Sequence, residues 1–161
     1  MQFSSSTDLA ALAAAVTRFR RALEAYSRRG DDEFARIFPR DWCKTASMLL
    51  ARYLDEEGLG RAALVANAER ASASGGTQIH AWLRMHGHDI DTTADQFDGE
   101  TRGVVIEPAG TIHRGFSEGY AFPWDRYMNH ADRYRDDLFD PWYQELVALV
   151  DTSSHPHSTG E

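Results

Sequence analysis

A chain of 161 residues is long enough to bury one substantial hydrophobic core, and its 42% apolar content is that of an ordinary globular domain. The net charge of -8, from 25 acidic against 17 basic side chains, argues against a generic nucleic-acid backbone binder, which needs a basic surface. A single cysteine, Cys43, excludes an internal disulfide and a multi-cysteine metal site.

The first predicted element is a helix. Ser4-Ser5-Ser6-Thr7-Asp8 offers several caps, and Leu9, Leu12, Ala13, Val16, Phe19, Leu23 and Tyr26 then recur at helical spacing to about Arg28, with Gly30 ending the run. Asp31-Asp32-Glu33 opens a short turn that leads through Phe34 and Ile37 to Phe38-Pro39. A second helix is predicted over 42–56, capped by Asp41 or its neighbour, with Met48, Leu49, Leu50, Tyr53 and Leu54 on its core face. Gly58 and Gly60 close it; 62–66 is a weak strand and 72–76 a loop.

Two strands follow, Gln78-Ile79-His80-Ala81-Trp82-Leu83 and Ile90-Asp91-Thr92-Thr93, joined at a turn around His86-Gly87-His88. If Met85 pairs with His88, Trp82 lies opposite Asp91 and His80 is one diagonal step from it. A register shifted by two sets His80 directly across from Asp91. Either way an imidazole and a carboxylate share one face, and Ile79, Ala81, Leu83 and Ile90 share the other, apolar one.

Beyond the hairpin, 93–97 reads as a turn, 103–107 as a strand and 108–119 as a loop. Phe122-Pro123-Trp124 begins a polar, aromatic-rich stretch with several short helices, and Pro141 starts a last helix with Trp142, Leu146, Val147 and Val150 on its apolar side. The organisation is one domain over 1–150 and a polar, frayed tail over 151–161. No segment approaches a membrane span and the N-terminus lacks a secretory pattern, so a soluble, cytoplasmic chain is expected; a mature chain without its leader would read the same.

Chemistry enters through Cys43, in the first turn of its helix, where unpaired amides and the helix dipole favour a thiolate. A cysteine nucleophile needs an imidazole beside it and a third polar group to fix that imidazole. Cys43, His80 and Asp91 supply those residue types, although a lone cysteine and a distant histidine are equally compatible with an ordinary buried thiol.

The surrounding residues resemble a family. Phe38-Pro39 before Cys43, Ser47 after it, His80-Ala81-Trp82-Leu83, and Asp91-Thr92-Thr93-Ala94-Asp95-Gln96-Phe97, in that order, are similar to small bacterial transglutaminase-like proteins of the papain-like cysteine enzyme superfamily. The resemblance spans about residues 34 to 107. It implies an α/β (α+β) fold with the nucleophile's helix packed on a small antiparallel sheet. It also implies that Cys43 is the nucleophile, His80 the base and Asp91 the residue orienting His80. Asp41, Trp42 and Lys44 depart from the small or glycine residues that flank the family's nucleophile, which implies a narrower site or a modified specificity.

Attack on an amide also needs oxyanion donors. The Cys43 backbone N–H is the first. Papain-like proteases often place a glutamine about six residues before the cysteine, where this chain has Ile37. Gln96 is the substitute, similar to the glutamine just after the Asp in some deamidases of the superfamily. Its other readings are a brace for the Asp91 turn or a solvated side chain.

Trp82 either walls a substrate cleft or shields the His80–Asp91 pair. His86, His88, His155 and His157 read as solvated, His113 as a loop residue at a cleft or facing solvent, and Asp95 as a turn cap. Trp124, Tyr127, Tyr134, Trp142 and Tyr143 read as packing residues. Cys43, His80, His88 and Asp91 contain zinc-ligand types, but their spacing spreads them along the hairpin face, so no metal and no cofactor is expected.

The expected function is a thiol-dependent hydrolase of an amide or peptide bond, acting through a thioester. Acyl transfer to an amine by the same triad, or a non-catalytic binding or structural domain, are the alternatives. The expected partner is a peptide, protein or small amide, not nucleic acid or a membrane.

Overall fold

The helical spacing of the N-terminal region produces α1 (Ser6–Arg29), whose Leu12, Val16, Phe19 and Leu23 are buried along one stripe and which ends at Gly30 with φ +75°. Asp32 then caps the single turn α2 (Glu33–Arg36), its carboxylate accepting the backbone N–H groups of Phe34 and Ala35. α3 (Cys43–Glu56) lies where the sequence placed it, but Asp41 does not cap it. The cap position is Trp42, which gives no side-chain cap bond, while Asp41 has φ +58° and turns the chain into the helix. The computed structural model describes residues 6–111, 113, 115–117, 119–125 and 133–154.

Five strands follow: β1 (Ala63–Ala71), β2 (Thr77–Met85), β3 (His88–Asp91), β4 (Val105–Pro108) and β5 (Tyr120–Pro123). They form one antiparallel sheet in the order β4-β3-β2-β1-β5, making the described residues a mixed α/β structure. The β2–β3 register pairs Met85 with His88 and Leu83 with Ile90, which is the first of the two predicted registers. His86 and Gly87 both have positive φ (50° and 77°), the geometry a two-residue hairpin turn demands.

α3 packs on β1 and β2, α1 and α4 (Arg133–Ser154) pack on each other and on α3, and the three helices share one core with the sheet. Leu64, Ala81, Leu83 and Ile90 project into that core and meet Leu12, Phe19, Leu49, Leu54 and Leu146. Each of the leucine, isoleucine and phenylalanine side chains contributes about 1.5–3 kcal/mol by leaving water. The other face carries Val65, Ala68 and Trp82, with Phe116 packed against them. Val65 and Ala68 share that face only because β1 bulges between them at Asn67, φ +58°, so that Val65 pairs with Trp82 and Ala68 with His80.

Two expectations are corrected. The segment at Phe122-Pro123 is not a helix: β5 pairs with the open edge of β1, Phe122 opposite Leu64, and Pro123 closes the strand at the sheet edge, where proline is tolerated. Pro141 lies inside α4 rather than at its start. Phe139, Trp142, Tyr143, Leu146 and Val150 make one continuous buried stripe, whose burial outweighs the backbone bond that proline forfeits. Tyr127, the Tyr134 side chain, His155 and His157 lie outside the described residues. Among the described residues no helix is long and apolar enough to cross a membrane.

Candidate active site

Strand alternation turns His80, Trp82 and Arg84 of β2 away from the helical core, and the hairpin register brings Asp91 beside them. His80 Nε2 and Asp91 Oδ2 are 2.6 Å apart, and both side chains are fully buried. The other carboxylate oxygen accepts from the Thr93 backbone N–H at 2.7 Å and the Thr93 hydroxyl at 3.1 Å. Asp91 is therefore held from both sides, and it fixes the ring that it faces.

Cys43 opens α3 and is partly exposed, unlike the two residues behind it. Its place near His80 is felt in the electrostatics, where Cys43, after Asp91, raises the His80 pKa. Since Asp91 occupies Nε2, Nδ1 is the nitrogen left for the thiol. The helix start meets the open end of the hairpin, and α3 packs chiefly on β2.

Gln96 lies in the 3-10 turn Ala94–Gln96 that follows β3. Its amide nitrogen donates to the Thr93 carbonyl at 3.0 Å and stands 3.3 Å from His80 Nδ1. It thus braces the Asp91 turn and borders the catalytic candidates at once. A cavity of about 660 Å³ opens beside it, lined also by Pro39, Arg40, Phe97, Asp98 and Glu100.

Asp95, expected as a turn cap, instead receives a bidentate arginine. Arg20 of α1 donates to both Asp95 oxygens at 2.9 and 2.7 Å and to the Thr92 carbonyl at 2.5 Å, while its guanidinium lies 4.6 Å from the centre of the Phe38 ring. One buried arginine therefore ties the Gln96 turn to the segment before Cys43. The sequence held a signal for it: Arg20 falls on the apolar stripe of α1, four residues after Val16 and three before Leu23.

Trp82 is buried, 5.7 Å from the His80 ring, and covers the pair rather than facing solvent. Phe97 and Phe116 complete the cover at 4.8 and 5.6 Å from His80. Arg70 spans both phenylalanines, 4.8 and 4.5 Å from their centroids.

His113, read from sequence as a loop residue at a cleft or facing solvent, lies against the His80–Asp91 pair, a contact that sequence reasoning did not reach. It stacks on Trp82 at 4.0 Å between centroids, and its Nε2 lies 3.3 Å from Asp91 Oδ2. That approach lacks hydrogen-bond geometry, so Nε2 is buried without a partner, as is the indole N–H of Trp82. No local pattern could have found His113, because a loop 22 positions after Asp91 delivers it. His88, the histidine weighed as a ligand from sequence, hydrogen-bonds through Nδ1 to the His86 carbonyl instead. Among the described residues the donors that converge are His80, Asp91 and His113, all within 4.8 Å of one another.

The electrostatics follow from this packing. Burial works to lower the His80 pKa, but hydrogen bonds to Asp91 and Cys43 and their charges outweigh it and push it up to about 9. Burial likewise opposes the Asp91 charge, and the hydrogen bond and charge of His80 reverse this, holding the carboxyl below its usual range. His113, buried without a bonded counter-charge, is pushed down to about 4. At neutral pH the arrangement favours an imidazolium at His80, a carboxylate at Asp91 and a neutral ring at His113. Comparison of the chain with family models, with curated proteins and with solved structures finds no match, so the chemistry of this site is read from its own residues.

Proposed function

We propose that this chain is a transglutaminase-like thiol enzyme that cleaves an amide or peptide bond through a Cys43 thioester. The reading rests on one observation: His80 is bonded to the buried carboxylate of Asp91, on the strand against which the helix opened by Cys43 packs, and both residues raise its pKa. His80 accepts the thiol proton on Nδ1 while Nε2–H stays on Asp91, giving a thiolate–imidazolium pair. The sulfur attacks the carbonyl carbon and the π electrons move onto oxygen. The Cys43 backbone N–H is one donor for that oxyanion.

Gln96 is the second. Once Nδ1 carries a proton it no longer accepts from the Gln96 amide, whose N–H is then free for the sulfur or the oxyanion. Collapse of the intermediate breaks the C–N bond as His80 protonates the leaving amine. Water, deprotonated by His80, then attacks the thioester and restores the thiol. An amine in place of water gives acyl transfer, and the triad treats the two alike. A nucleophilic thiol without a disulfide partner suits a reducing compartment such as the cytoplasm.

The test is intact-mass analysis after exposure to iodoacetamide at neutral pH. The reading expects one adduct, at Cys43, formed much faster than on a free thiol and slowed to the free-thiol rate in His80→Ala. A wild-type rate equal to that of free cysteine would reject it in favour of a non-catalytic domain. Competition of water with added amines in a thioester-forming assay separates hydrolysis from transfer.

A further inference from the structure

Beyond thiol chemistry, we propose that His80, Asp91 and His113 form a binding site for a divalent ion of the zinc class, which competes with the proton shared by His80 and Asp91. Two imidazoles and a carboxylate are a donor set that such ions favour, with a fourth position left for water. The three donor atoms lie within 4.8 Å of one another, and Cys43 is not among them.

Two ligands about 2.1 Å from a tetrahedral ion stand roughly 3.4 Å apart. The His113–Asp91 separation of 3.3 Å already has that spacing. The His80–Asp91 separation of 2.6 Å fits a proton, and it must open by about 0.8 Å to admit an ion.

The independent observation is His113 itself. Its side chain is only 7% exposed, and its Nε2 has no hydrogen-bond partner although a carboxylate oxygen is 3.3 Å away. A buried imidazole nitrogen normally finds a partner, and one left bare beside a carboxylate has its lone pair available to a cation. The groups behind the donors are in place: Thr93 fixes the far oxygen of Asp91 and Trp82 stacks on the His113 ring. Two cavities, of about 490 and 270 Å³, both reach His113 and Phe116 and give an ion an approach from outside.

The ion takes the place of the hydrogen bond between His80 Nε2 and Asp91 through which Asp91 orients His80. It is therefore an inhibitor of the proposed thiol chemistry, and that arm alone rests on the thiol reading.

The experiment uses the untagged full-length chain, stripped of metal by chelation and titrated with Co²⁺ and then Zn²⁺. One Co²⁺ per chain should bind with the visible bands of a four- or five-coordinate ion and be displaced by Zn²⁺. Cys43→Ala should keep the site and show the same spectrum. His113→Ala should weaken binding at least about tenfold, and His88→Ala should not change it. Wild-type affinity in His113→Ala, loss of binding in Cys43→Ala, or a sulfur-to-cobalt charge-transfer band in the wild type overturns the site. Should His113→Ala fail to fold, His113→Gln takes its place and the Cys43→Ala spectrum still decides. Zn²⁺ at saturation should slow Cys43 alkylation; unchanged alkylation with Co²⁺ bound as described overturns the inhibition and leaves the site standing.

Discussion

On the helix-covered face of the sheet, Leu64, Leu83 and Ile90 meet Phe19, Leu49 and Leu146, and the contacts are apolar. On the opposite face the same strands present His80, Trp82, Arg84, Asp89 and Asp91, beneath a loop that brings His113 and Phe116. The first face is held by area, which is non-directional and spread over many residues. The second is held by pairs: His80 on Asp91, Arg84 in a fork on Asp89, and Arg20 on Asp95 at its rim. A buried charge without its partner is costly, so each member of the second set depends on one specific neighbour. Apolar burial concentrates on one side of the sheet and paired polar groups on the other.

Perturbing each face separately tests that division. The largest effect on stability belongs to the core: Leu146→Ala, a fully buried position on α4, should cost about 2–5 kcal/mol in urea unfolding, with the native Cys43 alkylation rate unchanged. A large change in that rate would mean the two faces are not separable.

The pH dependence of stability comes from the second face. The His80 pKa is raised in the fold, so its contribution is complete below the unfolded value of 6.5 and is lost as pH rises through about 9. The loss over that window is roughly 3 kcal/mol. The Asp91 pKa is lowered, so its contribution is present above the unfolded value and is lost as pH falls toward the folded one. Unfolding curves across the alkaline window should therefore slope in the wild type and flatten in His80→Gln; equal slopes would remove the ion pair from the account.

Asp91→Asn keeps the shape but removes the charge that sustains the imidazolium. Alkylation of Cys43 near neutral pH should slow by about a hundredfold or more, and the profile should shift toward the free thiol. Gln96→Ala removes the proposed second oxyanion donor, so turnover should fall by about 10²–10³-fold with alkylation little changed. At the small end is Arg29→Ala, which breaks an exposed 3.2 Å pair with Glu145 and should change stability by less than about 1 kcal/mol.

What could be read before folding was local. Apolar spacing located α1 and α3, and the His86–Gly87 turn left two hairpin registers, both of which put His80 and Asp91 on one face; the structure adopts the first. The residues following Asp91 likewise marked Gln96, whose contacts depend on a turn only a few positions long.

Other features needed the whole chain. The Asn67 bulge breaks the alternation of β1, β5 exists because the edge of β1 was open, and Pro141 is carried inside α4 by the buried stripe around it. Cys43 reaches His80 only because α3 packs on β2. His113 reaches Asp91 only because a loop returns across the sheet. Periodicity and turn chemistry act over a few residues and are written in the sequence itself. Contacts between distant segments are settled by which surfaces bury each other best, and no single stretch of sequence contains that comparison.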